Sequence, residues 1–167
     1  MQPEEQPDER PDEQSEGKSW TAQPASVLAS IKEYASRFRA APKRPLRVLI
    51  VDDEEPVRKF VERVMSEAGY ETATASDGPA ALEAAKTFDP VDLLLTDVMM
   101  PQMAGDELAR RLRQSEPSLK VLYLTGFSDR LFKEKVTLWE DEAFLDKPCS
   151  VKGLVQAVSL LASGRLD

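Results

Sequence analysis

Residues 93–105 read LLLTDVMMPQMAG. This stretch begins with an apolar run, and Asp97 stands at the end of that run. A continuous apolar run of this length is typical of a strand buried on both faces of a parallel sheet. Three further apolar runs end in the same way, and they are followed by Asp52 with Asp53, by Thr125, and by Lys147 with Pro148. Because open α/β sheets place their ligand sites at the carboxyl ends of their strands, we expect these polar side chains to meet at one edge.

Strand and helix patterns alternate beyond residue 45. The predicted strands lie near 46–51, 70–75, 91–96, 119–124 and 142–146, and the predicted helices lie near 54–68, 78–88, 103–115, 127–136 and 150–162. Ser76, Asp77 and Ser150 are suitable residues to cap helix starts, and Gly69 is suited to end the first helix. Five βα units joined by short links predict a doubly wound α/β sheet, because right-handed crossovers place helices on both faces.

The region before residue 46 has a different composition. Residues 1–23 are rich in proline and acidic side chains and are predicted to form a disordered acidic tail. Residues 24–45 predict an amphipathic helix followed by a proline linker, and residues 46–165 form the main domain. The helix could pack on its own domain, pair with its twin in a homodimer, or dock on a partner or an anionic surface.

Composition excludes several classes of function. Acidic residues outnumber basic ones by 30 to 22, giving a net charge of −8, which disfavours binding to nucleic acid. The chain has no histidine, which excludes a phosphohistidine protein, a Ser-His-Asp hydrolase and a His-ligated zinc enzyme. Cys149 is the only cysteine, so an internal disulfide is excluded and a reducing compartment is indicated. No apolar run approaches the ~18 residues of a membrane helix, so we expect a cytoplasmic protein without membrane insertion.

Four motifs together carry a family resemblance. They are Val-Asp-Asp-Glu at 51–54, the stretch at 94–105, Leu-Thr-Gly at 124–126 and Phe-Leu-Asp-Lys-Pro at 144–148. In this order they resemble the receiver domain of two-component response regulators, and they are most similar to receivers attached to hybrid sensor kinases. The resemblance implies a flavodoxin-like five-stranded parallel sheet with strand order 2-1-3-4-5.

The resemblance also implies a role for each polar residue at the sheet edge. Asp97 would be the phosphoacceptor, and Lys147 would neutralise charge on the transferred group. Mg²⁺ would be bound directly by Asp53 and Asp97, through water by Asp52, and by the backbone carbonyl of Met99. In the family the Lys147–Pro148 bond is cis, which would help to aim the lysine.

Two further pairs of residues are assigned to signalling. By resemblance, the Thr125 hydroxyl binds the phosphoryl group and Phe144 turns inward, which changes the face formed by helix 127–136, strand 142–146 and helix 150–162. Met99 and Phe127 are apolar and would flank the phosphoryl group, so they are predicted to slow its hydrolysis. Core packing is an equally good interpretation of the two phenylalanines.

These residues support one main function and two alternatives. The main prediction is a stand-alone phosphoacceptor that receives a phosphoryl group from a histidine kinase or histidine phosphotransfer protein and then binds a downstream protein. It would not be an enzyme beyond Mg²⁺-dependent self-phosphorylation and self-dephosphorylation, and the six residues after Leu161 leave no DNA-binding output domain in this sequence. The alternatives are a receiver-like adaptor that acts through its N-terminal helix, and an aspartate-nucleophile phosphatase. The phosphatase usually has a second acid where Met99 stands.

Overall fold

The computed structural model describes residues 30, 31, 33–35, 44–126 and 141–163. The regular elements are β1 Arg47–Val51, α1 Glu55–Glu67, β2 Glu71–Ala75, α2 Gly78–Thr87, β3 Leu93–Asp97, α3 Gly105–Leu112, β4 Lys120–Thr125, β5 Glu142–Asp146 and α4 Val151–Ser163. The predicted tail 1–23, the predicted helix 127–136 and Phe127 lie outside the described residues.

The five strands form one parallel sheet in the order β2-β1-β3-β4-β5. This order confirms the flavodoxin-like fold expected from the sequence. All five residues of the central strand β3 are buried, as its continuous apolar pattern predicts. The strand order reverses between β1 and β3, so the carboxyl ends of these two strands lie at the topological switch point of the sheet, where such folds place their ligands.

The sheet separates two apolar cores. Side chains alternate along each strand, so Val48 and Ile50 enter one core while Leu49 and Val51 enter the other. The first core lies under α1 and α4, and the second lies under α2 and α3. The three inner strands β1, β3 and β4 are thereby fixed in register from both sides, because a slip by one residue would exchange the two faces.

The helix ends largely follow the sequence. The Asp77 carboxylate caps α2 by accepting the Ala80 amide at 2.8 Å, and the Ser150 hydroxyl accepts the Gly153 amide at 3.0 Å. Gly69 follows α1 with a φ of 90°, a conformation that glycine adopts without strain. The third predicted helix is shorter than expected: α3 ends at Leu112, and residues 113–115 form turns.

Part of the predicted N-terminal helix is also described. Ser30, Ile31 and Glu33 to Ala35, called here the N-terminal segment, are helical at each described position. Ile31 and Ala35 are buried in the first core. The Tyr34 hydroxyl donates to Gln156 Oε1 at 3.4 Å, and Lys152 lies over the Tyr34 ring. Of the placements left open by the sequence, packing on its own domain is therefore the one observed for this segment.

Arg44 is the first described residue after the N-terminal segment, and its side chain binds at the amino end of the sheet. Its guanidinium donates to both carboxylate oxygens of Asp92, at 2.8 and 3.0 Å. Asp92 Oδ2 also accepts the Arg47 backbone amide at 2.7 Å, where β1 begins. The chain is thus fixed to the sheet just before its first strand.

Among the described residues, no helix has the length and apolarity needed to cross a bilayer.

Candidate functional site

The polar residues predicted to converge do so at the carboxyl edge of the sheet. Asp97 ends β3 and pairs with Leu124, and Thr125 ends β4 and pairs with Asp146. The Lys147 backbone amide donates to the Thr125 carbonyl at 2.9 Å, which extends the pairing by one step. Asp52 follows β1 and donates its own amide to Ala75 O at 3.3 Å. Backbone pairing thus positions all four residues.

The Lys147 ammonium lies among three carboxylates. Its Nζ atom is 2.7 Å from Asp52 Oδ2, 3.0 Å from Asp97 Oδ2 and 3.6 Å from Glu54 Oε1. The lysine and both aspartates are largely buried, whereas the Glu54 side chain is 63% exposed. One positive charge therefore faces three negative charges in a poorly solvated place, and it can offset only part of their repulsion.

Asp52 is the most deeply buried acid of the site. Its Oδ1 accepts the Glu54 amide at 2.8 Å, and its backbone carbonyl accepts Arg58 Nη1 at 2.7 Å. Its buried Oδ2 makes the ion pair with Lys147 but lacks a hydrogen bond of acceptable geometry. Burial raises the pKa of this carboxyl above its ordinary value, although the nearby Lys147 ammonium and the Glu54 amide act in the opposite direction.

The pKa of Lys147 also reflects two opposing causes. Burial by itself lowers it, but the neighbouring carboxylates of Asp52 and then Asp97 outweigh that effect. The net result is a pKa above the ordinary lysine value, so the side chain is cationic at neutral pH. The site therefore holds a fixed positive charge beside Asp97.

The loop after β3 lies in close contact with Asp97. Asp97 Oδ1 accepts the Met99 amide at 3.2 Å, and the Gly105 amide donates to Val98 O at 2.9 Å. A Cβ atom added at Gly105 would lie 2.1 Å from the Asp97 carbonyl oxygen. Only glycine allows α3 to start this close to the strand that carries Asp97.

The donor set fits a hard divalent cation. Within the described residues, Asp52, Glu54 and Asp97 form a group whose carboxylate oxygens lie within 4.8 Å of one another. Clustered carboxylates with an incompletely satisfied buried oxygen suit Mg²⁺, which takes oxygen ligands. Asp53, expected by resemblance to bind the metal directly, is exposed and is not in this group. Glu54 was missed at the sequence level, although the run of acids from Asp52 to Glu55 could have indicated it.

The remaining predicted site residues differ in exposure. Thr125 is buried at the end of β4, whereas the side chains of Met99 and Phe144 are 55% and 45% exposed. Phe144 thus faces outward in this structure, and Phe127 lies outside the described residues. The Lys147–Pro148 peptide bond is cis, as the resemblance implied. Cys149 follows it as a half-buried thiol, and burial raises its pKa to about 11.

Comparison with known proteins extends this geometry. A family model described as the response regulator receiver domain matches residues 48–159. The response regulator receiver protein CpdR of Brucella abortus (strain 2308) is 34% identical over 112 residues, covering 67% of this chain and 92% of CpdR. Sensor kinase CckA of the same organism is 35% identical over 112 residues, covering 66% of this chain and 12% of CckA.

A solved structure shows the same architecture. The Vibrio cholerae chemotaxis protein CheY4 superposes with a TM-score of 0.63 at 29% identity, covering 70% of this chain and 98% of CheY4. The family match begins at residue 48, so the N-terminal segment that buries Ile31 and Ala35 lies outside it. That segment is an addition to the shared fold rather than part of it.

Proposed function

The chain belongs to the response regulator receiver domain family of two-component systems, and on this premise we propose that Asp97 accepts a phosphoryl group from a partner protein. The observation that carries this proposal is the placement of Asp97 at the carboxyl edge, with its Oδ2 atom 3.0 Å from the Lys147 ammonium. Two further carboxylates crowd the same lysine. The partner would be a histidine kinase or a histidine phosphotransfer protein.

The proposed chemistry is a single phosphoryl transfer. A carboxylate oxygen of Asp97 attacks the phosphorus of the donor and forms an acyl phosphate. The bond between phosphorus and the donor atom breaks, and the leaving group departs with the bonding electron pair. Lys147 is held in place by its buried surroundings, so its charge can stabilise the transferred oxygens without costly rearrangement.

The cation site would be formed by the acids around Asp97. The proposed ligands are Asp53 and Asp97, Asp52 through water, and the Met99 backbone carbonyl. When bound, Mg²⁺ would offset charge on the phosphoryl oxygens during transfer. Asp52 would also gain, because its poorly satisfied Oδ2 atom would acquire a cationic neighbour besides Lys147.

The proposed switch uses Thr125 and Phe144. Thr125 is buried at the edge that receives the phosphoryl group, and its hydroxyl would hydrogen-bond that group. Phe144 is 45% exposed and has apolar surface left to bury, so an inward turn would be favoured once space opens. The changed surface, formed by helix 127–136, β5 and α4, would then bind a downstream protein.

Two alternative functions are less well supported. In the adaptor hypothesis the acids and Lys147 would be vestigial, and their close contacts would be unexplained. In the phosphatase hypothesis a general acid would be needed two residues after Asp97, and Met99 cannot serve as one. The phosphoacceptor hypothesis gives a role to Asp97, Lys147, Thr125 and the neighbouring acids Asp52 and Asp53.

Intact-mass spectrometry of the full chain tests the proposal. The protein is incubated with Mg²⁺ and acetyl phosphate, beside Asp97→Asn and the matched variant Asp141→Asn at the opposite edge of the sheet. We expect one added phosphoryl group in the wild type and in Asp141→Asn, and none in Asp97→Asn or without Mg²⁺. Equal labelling of Asp97→Asn would reject Asp97 as the acceptor, and no labelling of the folded wild type would favour the adaptor.

The lifetime of the acyl phosphate provides a second test. Met99 offers no general base to an attacking water, so we propose that it slows hydrolysis, as would Phe127. Met99→Asn should lose its phosphoryl group several times faster than Met99→Leu, which keeps an apolar side chain. Equal decay of the two variants, followed by intact mass after the donor is removed, would refute a role for Met99.

A further inference from the structure

Glu54 lies at the start of α1, but the helix does not use its carboxylate. It occupies the N-cap position, and its side chain makes no capping hydrogen bond. Serine, threonine, aspartate and asparagine are the residues that favour this position. The Glu54 carboxylate instead lies 3.6 Å from Lys147 Nζ. Its orientation therefore has its cause in the site rather than in the helix.

The backbone directs Glu54 into the site. Its amide donates to Asp52 Oδ1 at 2.8 Å, so residue 54 is tied to the most buried acid of the edge. The carboxylate oxygens of Asp52, Glu54 and Asp97 then lie within 4.8 Å of one another. Three negative charges at this spacing face one ammonium and remain uncompensated by about two charges.

A second observation points to a cationic ligand at this place. Asp52 is 2% exposed, and its Oδ2 atom, which faces Lys147, has no hydrogen bond of acceptable geometry. The Lys147 ammonium lies 2.7 Å from this oxygen but is shared with Asp97 and Glu54, so it offsets the cost of burying the Asp52 charge only in part. The buried oxygen and the excess of acids therefore both favour a bound divalent cation beside Glu54.

We infer that Glu54 is an additional carboxylate ligand of the divalent cation, beyond the residues assigned by resemblance. The inference rests on the cation site of the proposed function and deepens it. Because Glu54 is 63% exposed, its side chain can adjust more readily than the buried Asp52 and Asp97. In the absence of a cation it helps to hold Lys147, and in its presence it exchanges the ammonium for the metal.

The neighbouring Glu55 supplies a matched control. It carries the same charge one residue away and is similarly exposed, but its Oε1 atom lies 2.5 Å from Lys59 on the outer surface of α1. Glu54→Gln and Glu55→Gln therefore remove equal charge at nearly the same place. Only the former removes an oxygen from the group of acids, so comparing them separates ligation from long-range attraction.

The experiment measures Mn²⁺ binding by electron paramagnetic resonance, with the full chain and without a phosphoryl donor. Mn²⁺ prefers the same oxygen ligands as Mg²⁺, and free and bound ions are distinguished directly. We expect Glu54→Gln to weaken binding about five- to tenfold, and Glu55→Gln to weaken it less than twofold. Competition with Mg²⁺ should displace Mn²⁺ from the wild type, which identifies a shared site.

Each outcome separates this inference from the proposed function. If the wild type binds Mn²⁺ and the two variants weaken binding equally, Glu54 is no ligand, while the cation site and phosphoacceptor stand. If the wild type does not bind Mn²⁺, both the Glu54 assignment and the cation site are overturned. Phosphorylation of Asp97 is scored independently by mass, so its failure does not affect the binding measurement.

Discussion

The two ends of the sheet differ in how their charges are arranged. At the amino ends of the strands, four acid–base pairs form. These pairs are Arg44–Asp92, Arg47–Glu71, Arg113–Glu142 and Lys120–Asp141. At the carboxyl ends, Lys147 faces Asp52, Glu54 and Asp97 together. One end holds four separate ion pairs, and the other holds one ammonium shared by three carboxylates.

At the carboxyl ends of the strands, the fold keeps repulsive contacts between acids that a bound cation can relieve. At the amino ends, each of the four ion pairs is complete without a ligand. Crowded acids at the carboxyl ends repel one another, so a cation that offsets their charge is bound more tightly. The same sheet therefore has a structural end and a chemical end.

Substitution of Gly105 should have the largest effect and should act on the chemical end. Gly105→Ala would place a Cβ atom 2.1 Å from Asp97 O, a contact that requires the backbone to move. We expect a loss of about 3 kcal/mol in the free energy of unfolding, measured by urea titration. Gly126→Ala is the control on the same edge, because a Cβ atom there meets no heavy atom within 4 Å. Equal losses in both variants would contradict the close approach.

The reactivity of Cys149 tests whether burial or the charge of Lys147 has the larger effect on the pKa of its thiol. The thiol lies two residues after Lys147, whose charge lowers its pKa, but burial prevails and raises the pKa to about 11. Since only the thiolate reacts, alkylation at pH 8 should be roughly a hundredfold slower than in the urea-unfolded chain. Iodoacetamide labelling followed by mass measures both rates. Similar rates in the two states would show that burial does not raise the pKa of the folded thiol.

A matched pair of carboxylate-to-amide changes compares the two ends directly. Glu142→Gln removes the acid that binds Arg113 at 2.7 Å and the Tyr123 hydroxyl at 3.1 Å. We expect it to cost about 2 kcal/mol, because a half-buried charged hydrogen bond is lost. Asp97→Asn instead relieves repulsion and should leave stability unchanged or higher. Urea titration of both variants without metal would refute the comparison if their effects were equal.

Gln102 should give the smallest effect. It lies in the loop between β3 and α3 with a φ of 69°, a backbone conformation that favours glycine. Gln102→Gly should stabilise the fold by about 0.5 kcal/mol, since relief of strain exceeds the added entropy of the unfolded chain. Gln114→Gly, at a position without positive φ, should destabilise it by a similar amount. A loss in both variants would show that the loop carries no strain.

Much of the fold could be predicted from sequence because the signals are local and repeated. The run at Leu93–Leu95 predicted a doubly buried strand, and the position of Asp97 at its end predicted the edge of the sheet where the acids meet. Parallel pairing then brings Thr125 and Lys147 to the same place. The strand order came from the family resemblance, since local patterns do not determine it.

The rest depends on contacts that a linear pattern does not contain. Asp52, Asp53 and Glu54 are adjacent acids, and only the turn after β1 determines which of them faces Lys147. Ile31 and Ala35 fitted an amphipathic helix, but the spacing of its apolar residues does not identify the surface that covers them, which here is the first core. The end of α3 was also misplaced, since Arg113 leaves the helix and its guanidinium donates to Leu119 O.

The division of the interior by the sheet has a consequence for how mutations combine. Val61 belongs to the core under α1 and α4, and Leu108 belongs to the core under α2 and α3. Because the sheet lies between them, Val61→Ala and Leu108→Ala should add in the double variant to within about 0.5 kcal/mol. Each core can therefore accumulate sequence changes almost independently, so long as the strands that line both remain intact.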